Sequence, residues 1–483
     1  MTRALCGWML AVLAGSFAGA QDPVPAAASG AATIPALLLS DIHFDPFRDP
    51  SKVAKLAATP VAGWETILKS PDSPTQPAAF QALQAACAGA KGLDTNEALL
   101  DASLAAEKTH AAGLKFVTIS GDLLVHQFDC RYKTAMKTEE DYGEFAEKTA
   151  TYVIQRVEAE FPTAAVYVAL GNNDSSCGDY SLSMPDRFLS GTSKAVIDGL
   201  RGASAEDIAQ AKTDYESGGY FAVTMVAPMS KTRLLAIDDL YLSKKWTTCA
   251  KKADAGDPAA VLTWLKSQLD AAARRGEKVW VMGHIPPGID VYATLKKGRT
   301  CDVNGPESFL APAGKETLVD VLGTHSDEIT LGIFGHTHMD EMKLLPGRDG
   351  GGVAIKGVAS ISPVDGNMPS FTLARVDPLA SLMDDYAVYV APNKTGVGGP
   401  WRREYGFDET FGQKVYSAAT LKQIVNGFRA DPQGAAAMSQ AYEINFDPLY
   451  PIPVLVLGWP QYVCGMDKMT ESEFRSCACG AKP

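Results

Sequence analysis

Apolar positions in this chain gather into short unbroken runs. Leu37–Leu39, Phe116–Ile119, Val166–Leu170, Val279–Met282 and Ile329–Phe334 are apolar and mostly rich in β-branched or aromatic residues. Runs of that length and make-up predict buried strands rather than helices. Between them, Ala98–Ala111, Tyr142–Glu160 and Ala259–Arg275 carry the one-sided apolar stripe of crossover helices. The last of these is predicted to open with Asp257 as N-cap and Pro258 at the first helical position. The Pro- and Ala-rich stretch from Phe44 to Gly92 reads as an insertion after the first strand, with Trp64 as its anchor, in position to wall one side of a cleft. Beyond Pro378 the pattern changes: Gly396–Pro400 is a loop, and Ala418–Tyr442 is mostly helical.

Each predicted strand runs straight into a polar fragment. These are Asp41-Ile42-His43, Gly121-Asp122 with His126 just past it, Gly171-Asn172-Asn173-Asp174, Gly283-His284 and Gly335-His336-Thr337-His338. Open α/β sheets place their sites at the carboxyl ends of strands. Glycine before Asp122, Asn172, His284 and His336 lets the backbone turn sharply and come close to a metal or phosphate. A lone Gly-Asp is usually only a turn, so the argument rests on the conjunction. Two metals about 3.5–4 Å apart need a bridging carboxylate and a mixed nitrogen and oxygen shell. That set suits zinc, manganese or iron better than calcium.

Taken together, the fragments resemble the signature blocks of calcineurin-like metallophosphoesterases over approximately residues 34 to 375. Gly121-Asp122-Leu-Leu-Val-His126, Gly283-His284-Ile-Pro-Pro-Gly288, and Ser360-Ile-Ser-Pro363 followed by Gly366-Asn367-Met-Pro369-Ser-Phe371 are similar to its acid sphingomyelinase-like phosphodiesterase branch. The resemblance implies a four-layer α/β/β/α sandwich with a helical, cysteine-containing C-terminal region. It also implies two divalent ions, zinc first, with manganese or iron as alternatives. One ion would be held by Asp41, His43, Asp122 and His338, and the other by Asp122, Asn172, His284 and His336. In the family, a hydroxide shared by the ions attacks phosphorus in line.

The chain departs from the family at Asn173, where histidine is usual. Asparagine can donate a hydrogen bond to a phosphoryl oxygen but cannot act as a general acid. The acid role then falls to His126, which matches a second active-site histidine of the branch, and Asp174 is expected to be a loop carboxylate orienting a neighbour. Gly-Asn-Asn-Asp also occurs among endopolyphosphatase-like relatives. The implied activity is hydrolysis of small or nucleotide-type phosphodiesters. The alternatives are an endopolyphosphatase, an acid phosphomonoesterase, or an inactive metal-retaining binding protein. His110 and His325 read as surface or satisfied residues.

The formal charge of −12 over 483 residues argues against a surface that wraps a nucleic-acid duplex or binds anionic membrane. Arg3, the apolar stretch from Leu5 to about Phe17 and Ala18-Gly-Ala20 have the three parts of a secretory signal. Ser16 stands where a lipid-bearing cysteine would be, so the expectation is a secreted or periplasmic monomer without a membrane anchor. The leading segment is short and holds one cysteine, too little for a saposin-like lipid-extracting domain. The expected organisation is a signal over 1–20, a spacer over 21–33, a catalytic domain over 34–377 and a C-terminal helical region over 378–483. Once Cys6 leaves with the signal, eight cysteines remain, an even number that suggests disulfides in an exported chain. The resemblance implies that Cys249 pairs with Cys301 and Cys464 with Cys477; Cys130 and Cys177, each just after a metal fragment, make a weaker third pair. Zinc binding by the Cys464, Cys477 and Cys479 cluster is the rival reading.

Overall fold

The computed structural model describes residues 32–88, 93–251, 257–302, 305–449 and 458–480. The expected secretory signal, all but the end of the spacer, and Pro451–Leu457 of the apolar tail lie outside the described residues.

The five apolar runs all become strands of two six-stranded sheets. The first sheet holds β1 (Ile34–Leu39), β2 (Phe116–Ser120) and β3 (Ala165–Ala169) in parallel, with Leu37 opposite Val117 and Val117 opposite Val166. The second holds β4 (Phe221–Thr224), β5 (Thr232–Ala236), β6 (Lys278–Met282), β7 (Ile329–Phe334), β8 (Glu341–Pro346) and β9 (Gly352–Gly357) in the order β4-β5-β6-β7-β9-β8. β5, β6, β7 and β9 are parallel, and the two edge strands are antiparallel. Parallel strands covered on both faces are apolar without alternation, which is why each reads as a continuous run.

The sheets pack face to face. Phe116 meets Trp280 edge-on at 5.7 Å between ring centroids. Val226 N donates to the Tyr167 hydroxyl across the same interface at 2.9 Å. Helices Glu97–His110 and Tyr142–Glu160 cross over between strands of the first sheet, while Ala259–Arg275 and Leu318–Thr324 cover the second. This is the expected four-layer α/β/β/α sandwich. Helix Ala259–Arg275 begins one residue later than the sequence predicts, with Pro258 rather than Asp257 at the N-cap, and Asp257 Oδ1 accepts Ala259 N at 3.1 Å from just outside it.

The first sheet does not end at Pro378. β10 (Ser370–Asp377) continues into β11 (Leu382–Val390) and β12 (Arg402–Gly406), all antiparallel, and only then do the helices begin. Asp384 and Asp385 break the apolar pattern of β11 and hide it from a hydropathy reading. Asp385 is nonetheless satisfied, accepting Asp408 N at 3.0 Å and facing Arg375.

In the insertion after β1, Trp64 is buried. Its ring lies 5.2 Å from Phe145 and 5.7 Å from Tyr152, so the insertion packs on helix Tyr142–Glu160. The cavity beside His336 is instead walled by Tyr442, Phe446, Tyr462 and Met466 from the C-terminal helices.

Disulfides join Cys87 to Cys130, Cys177 to Cys249, Cys301 to Cys479 and Cys464 to Cys477. The expected Cys249–Cys301 and Cys130–Cys177 pairs do not form. A bridge needs Cα atoms within about 7 Å. The loop after β3 lies along the segment before Cys249, with Leu182 N bonded to Thr247 O at 3.1 Å, and this brings Cys177 to Cys249. Cys479 comes back over Cys301, and with Cys464 and Cys477 bridged, no thiol of the tail cluster is left to hold zinc.

Peptide mapping without reductant is expected to recover these four pairs, and free thiols or a Cys249–Cys301 peptide would contradict them. Replacing Cys301 and Cys479 together by serine should cost about 2–5 kcal/mol in a denaturant titration.

Candidate metal centre

The carboxyl ends of β1, β2 and β3 from one sheet meet those of β6 and β7 from the other, and all seven expected ligands arrive at that junction. Five of them, Asp41 (φ 48°), His43 (φ 47°), Asp122 (φ 56°), His336 (φ 71°) and His338 (φ 64°), have left-handed backbone. Such conformations cost on the order of 1–3 kcal/mol each and persist where the surroundings dictate them. A Cβ at Gly171 would overlap the Asp122 carboxylate, and one at Gly335 would overlap Ser40 and Asp41, so glycine is obligatory at both turns.

The ligand atoms form two groups around one shared carboxylate. In the first, His43 Nε2 lies 3.1 Å from His338 Nε2 and 3.5 Å from Asp122 Oδ2, and His338 Nε2 lies 3.4 Å from Asp41 Oδ1. In the second, His284 Nε2 lies 3.2 Å from Asp122 Oδ2, 3.2 Å from Asn172 Oδ1 and 3.3 Å from His336 Nδ1. Nitrogens and oxygens converging at these separations could hold a cation between them.

The far side of each ring is fixed as well. His43 Nδ1 bonds Leu124 O at 2.9 Å, and His284 Nδ1 bonds Ser120 O at 2.8 Å, so each ring turns its Nε2 inward. The donor set therefore fits two divalent cations, with Asp122 common to both.

Electrostatics reflect how closely these groups crowd together. Burial would lower His43 and His284, but Asp122, joined by Asp41, outweighs it and raises them to about 9 and about 10. Burial would likewise raise Asp41, but His338 and its neighbours hold it at about 2. Burial, with His284 nearby, lowers His336 to about 3, so that ring is neutral and ready to ligate.

The other expected site residues divide. His126 stacks on His43 at 3.9 Å between ring centroids and reaches the centre's edge. Asn173 does not present its whole side chain to a substrate, because Nδ2 donates to Asp122 Oδ2 at 2.8 Å. Asp174 is fully buried rather than an exposed loop carboxylate. Its oxygens accept the N–H groups of Leu123, Leu124 and Gly171 at 2.8–3.0 Å and pin the Asp122 turn to the Asn172 turn.

Asp239 is a residue that the sequence reading misses. It lies just beyond β5 and takes the N–H groups of His284 and Ile285 at 2.9 and 3.0 Å. The same signal is present in its sequence, an apolar run Leu234–Ile237 ending in Asp238-Asp239. Tyr180 is a second addition, with its hydroxyl 3.5 Å from His336 Nε2. His325 is satisfied by Val321 O and Asp270, and His110 packs on Tyr389.

The chain belongs to the calcineurin-like phosphoesterase family, whose profile matches residues 34–340. Membership of that family implies divalent ions, and the two donor groups are the candidates to hold them. Among curated proteins it is 27% identical to the cyclic GMP-AMP phosphodiesterase SMPDL3A of Rattus norvegicus, over 53% of this chain and 55% of that one. It is 24% identical to the acid sphingomyelinase-like phosphodiesterase 3b of Homo sapiens, over 81% of this chain and 82% of that one. The match thus spans about half the length of the rat relative. A solved dimetal phosphatase from Danio rerio aligns with 80% of this chain and 99% of its own at 12% identity, with a TM-score of 0.42.

Asp122→Asn keeps a residue that tolerates left-handed backbone but removes the shared charge. Elemental analysis should show loss of bound metal and assays should show loss of turnover, with the melting temperature retained. Because His43 and His284 hold protons below about 9 and about 10, cation uptake must expel them. Metal affinity should therefore rise with pH through neutrality, by about tenfold per pH unit for each proton released. Competition titrations with a chelator at pH 6, 7 and 8 read that slope.

Proposed function

We propose that the protein is a secreted monomeric hydrolase of small phosphodiesters that works with two zinc ions. The observation that carries this reading is the sharing of Asp122 by two donor groups, one member of which, His336, lines a cavity of about 360 Å³. When bound, such a pair of cations neutralises charge developing on phosphoryl oxygens and makes water a better nucleophile. The remaining work falls to side chains. His126, part-exposed beside His43, is placed to hold a proton for the departing ester oxygen. Asn173, tied to Asp122, stiffens the shared ligand.

The cavity supports a diester with an organic arm. It sets the aromatic rings of Phe309, Tyr442 and Tyr462 against the carboxyl groups of Asp290, Asp365 and Asp447. Carboxyl groups outnumber the one lysine, Lys343, on these walls, which tells against long-chain polyphosphate. The names of the two curated relatives also favour diesters. Four disulfides support an oxidising compartment, and no helix of the described residues is long and apolar enough to cross a membrane.

Bis-p-nitrophenyl phosphate should be cleaved well ahead of p-nitrophenyl phosphate and of polyphosphate. Cleavage of none of them would leave the binding-protein reading. His126→Ala should slow diesters with alkyl leaving groups by about 10²–10⁴-fold while largely sparing the activated aryl diester. Its metal content should stay at two ions. Loss of one ion would make His126 a ligand, since its ring nitrogen falls within reach of His43 and His338.

A further inference from the structure

We propose that Asp94 is the positioning residue for His126, an assignment that rests on His126 handling the leaving-group proton. Asp94 lies far from every metal fragment in sequence, yet the fold delivers it to the edge of the centre. Thr95 N donates to His43 O at 3.2 Å, and Asp45 N donates to Thr95 O at 2.7 Å, so the backbone beside Asp94 is zipped to the His43 loop. The side chain of Asp94 is fully buried and points at His126, whose Nδ1 lies 3.1 Å from Oδ1.

The carboxylate is held from two further directions. Ser362 Oγ donates to Oδ1 at 2.8 Å. On the other side, Arg131 Nη2 lies 3.6 Å from Oδ2, and the same guanidinium donates through Nη1 to Asp45 at 2.8 Å. Burial would raise the Asp94 carboxyl, but His126, with His43 and Arg131, outweighs it and keeps it at about 2. It is a buried anion whose Oδ1 takes both His126 and Ser362 and whose Oδ2 faces Arg131.

An anion fixed in this way selects one arrangement of the imidazole. With Nδ1–H donated to Asp94 and one face stacked on His43 at an interplanar angle of 23°, the ring has neither the tautomer nor the orientation left to choose. Among the described residues nothing bonds to Nε2, and about a third of the His126 side chain is exposed, 30%. Nε2 is therefore the atom left for the substrate. The arrangement also gives a purpose to the Ser360-Ile-Ser-Pro363 segment: Ser362 braces Asp94 while its backbone N–H bonds Asp41 O at 3.1 Å.

The test is a double-mutant cycle on the full chain loaded with metal. Asp94→Asn should lower kcat on alkyl diesters by about ten- to a hundred-fold, part of what general acid catalysis is worth. KM, metal content and kcat on bis-p-nitrophenyl phosphate should change little. In a His126→Ala background the same substitution should cost nothing further, because its only route to the reaction is gone. An equal loss on both substrates, or the same additional loss without His126, would overturn the proposal and leave Asp94 as a partner of Arg131.

If His126→Ala spares alkyl diesters, the acid role of His126 falls and the proposal falls with it. If His126→Ala shows the gap and Asp94→Asn does not, only the proposal falls. Should Asp94→Asn fail to fold, Ser362→Ala removes the brace without uncovering Arg131. It should give a several-fold loss confined to alkyl diesters and absent without His126, and any other pattern counts against Asp94.

Discussion

The buried carboxylate of Asp122 is the point on which the two halves of the sandwich agree. It is supplied by the first sheet, faces His43 from that sheet, and faces His284 from the second. An isolated anion in such a place would be expelled or neutralised. Here burial is outweighed by the two imidazoles and by the N–H of Asn173, and the carboxyl is drawn well below its usual range. The face-to-face packing of the sheets, the glycine turns and the left-handed backbone all serve to hold opposing donors around this one group.

Most of that centre was legible in the sequence because buried parallel strands announce themselves. Leu37–Leu39 or Val279–Met282 cannot be mistaken for a surface, and the residues just past such a run must lie at the edge of a sheet. The candidate donor residues were readable for the same reason. Residues that brace the ligands were not. Asp174 looks like any loop carboxylate until the turn closes and three N–H groups converge on it. Asp94 has no local signal at all, since its meaning comes from His126 and Ser362, which are distant in the chain.

Pairing across long separations was the other blind spot. Family resemblance pointed to Cys464–Cys477, where one short helix–turn–helix fixes the geometry, and failed for Cys249, whose partner is chosen by the path of the loop after β3. β11 was hidden by two aspartates, of which Asp385 is satisfied at the sheet edge by Arg375 and Asp408 N. In each case the missing information was tertiary: a partner that makes an unfavourable local choice acceptable.

The cavity is lined from two stretches of the chain. Asp290, Phe309 and His336 lie within the stretch that supplies the donor residues, whereas Tyr442, Phe446, Tyr462 and Met466 come from the tail, clamped over Cys301 by Cys479. On the proposed reading, the donor residues and much of the cavity's wall are thereby written in separate stretches of sequence. A lineage could exchange or remodel its tail, keep the metal-binding turns untouched, and so acquire a new substrate without relearning the chemistry. Divergence in this fold would then be recorded chiefly in the tail.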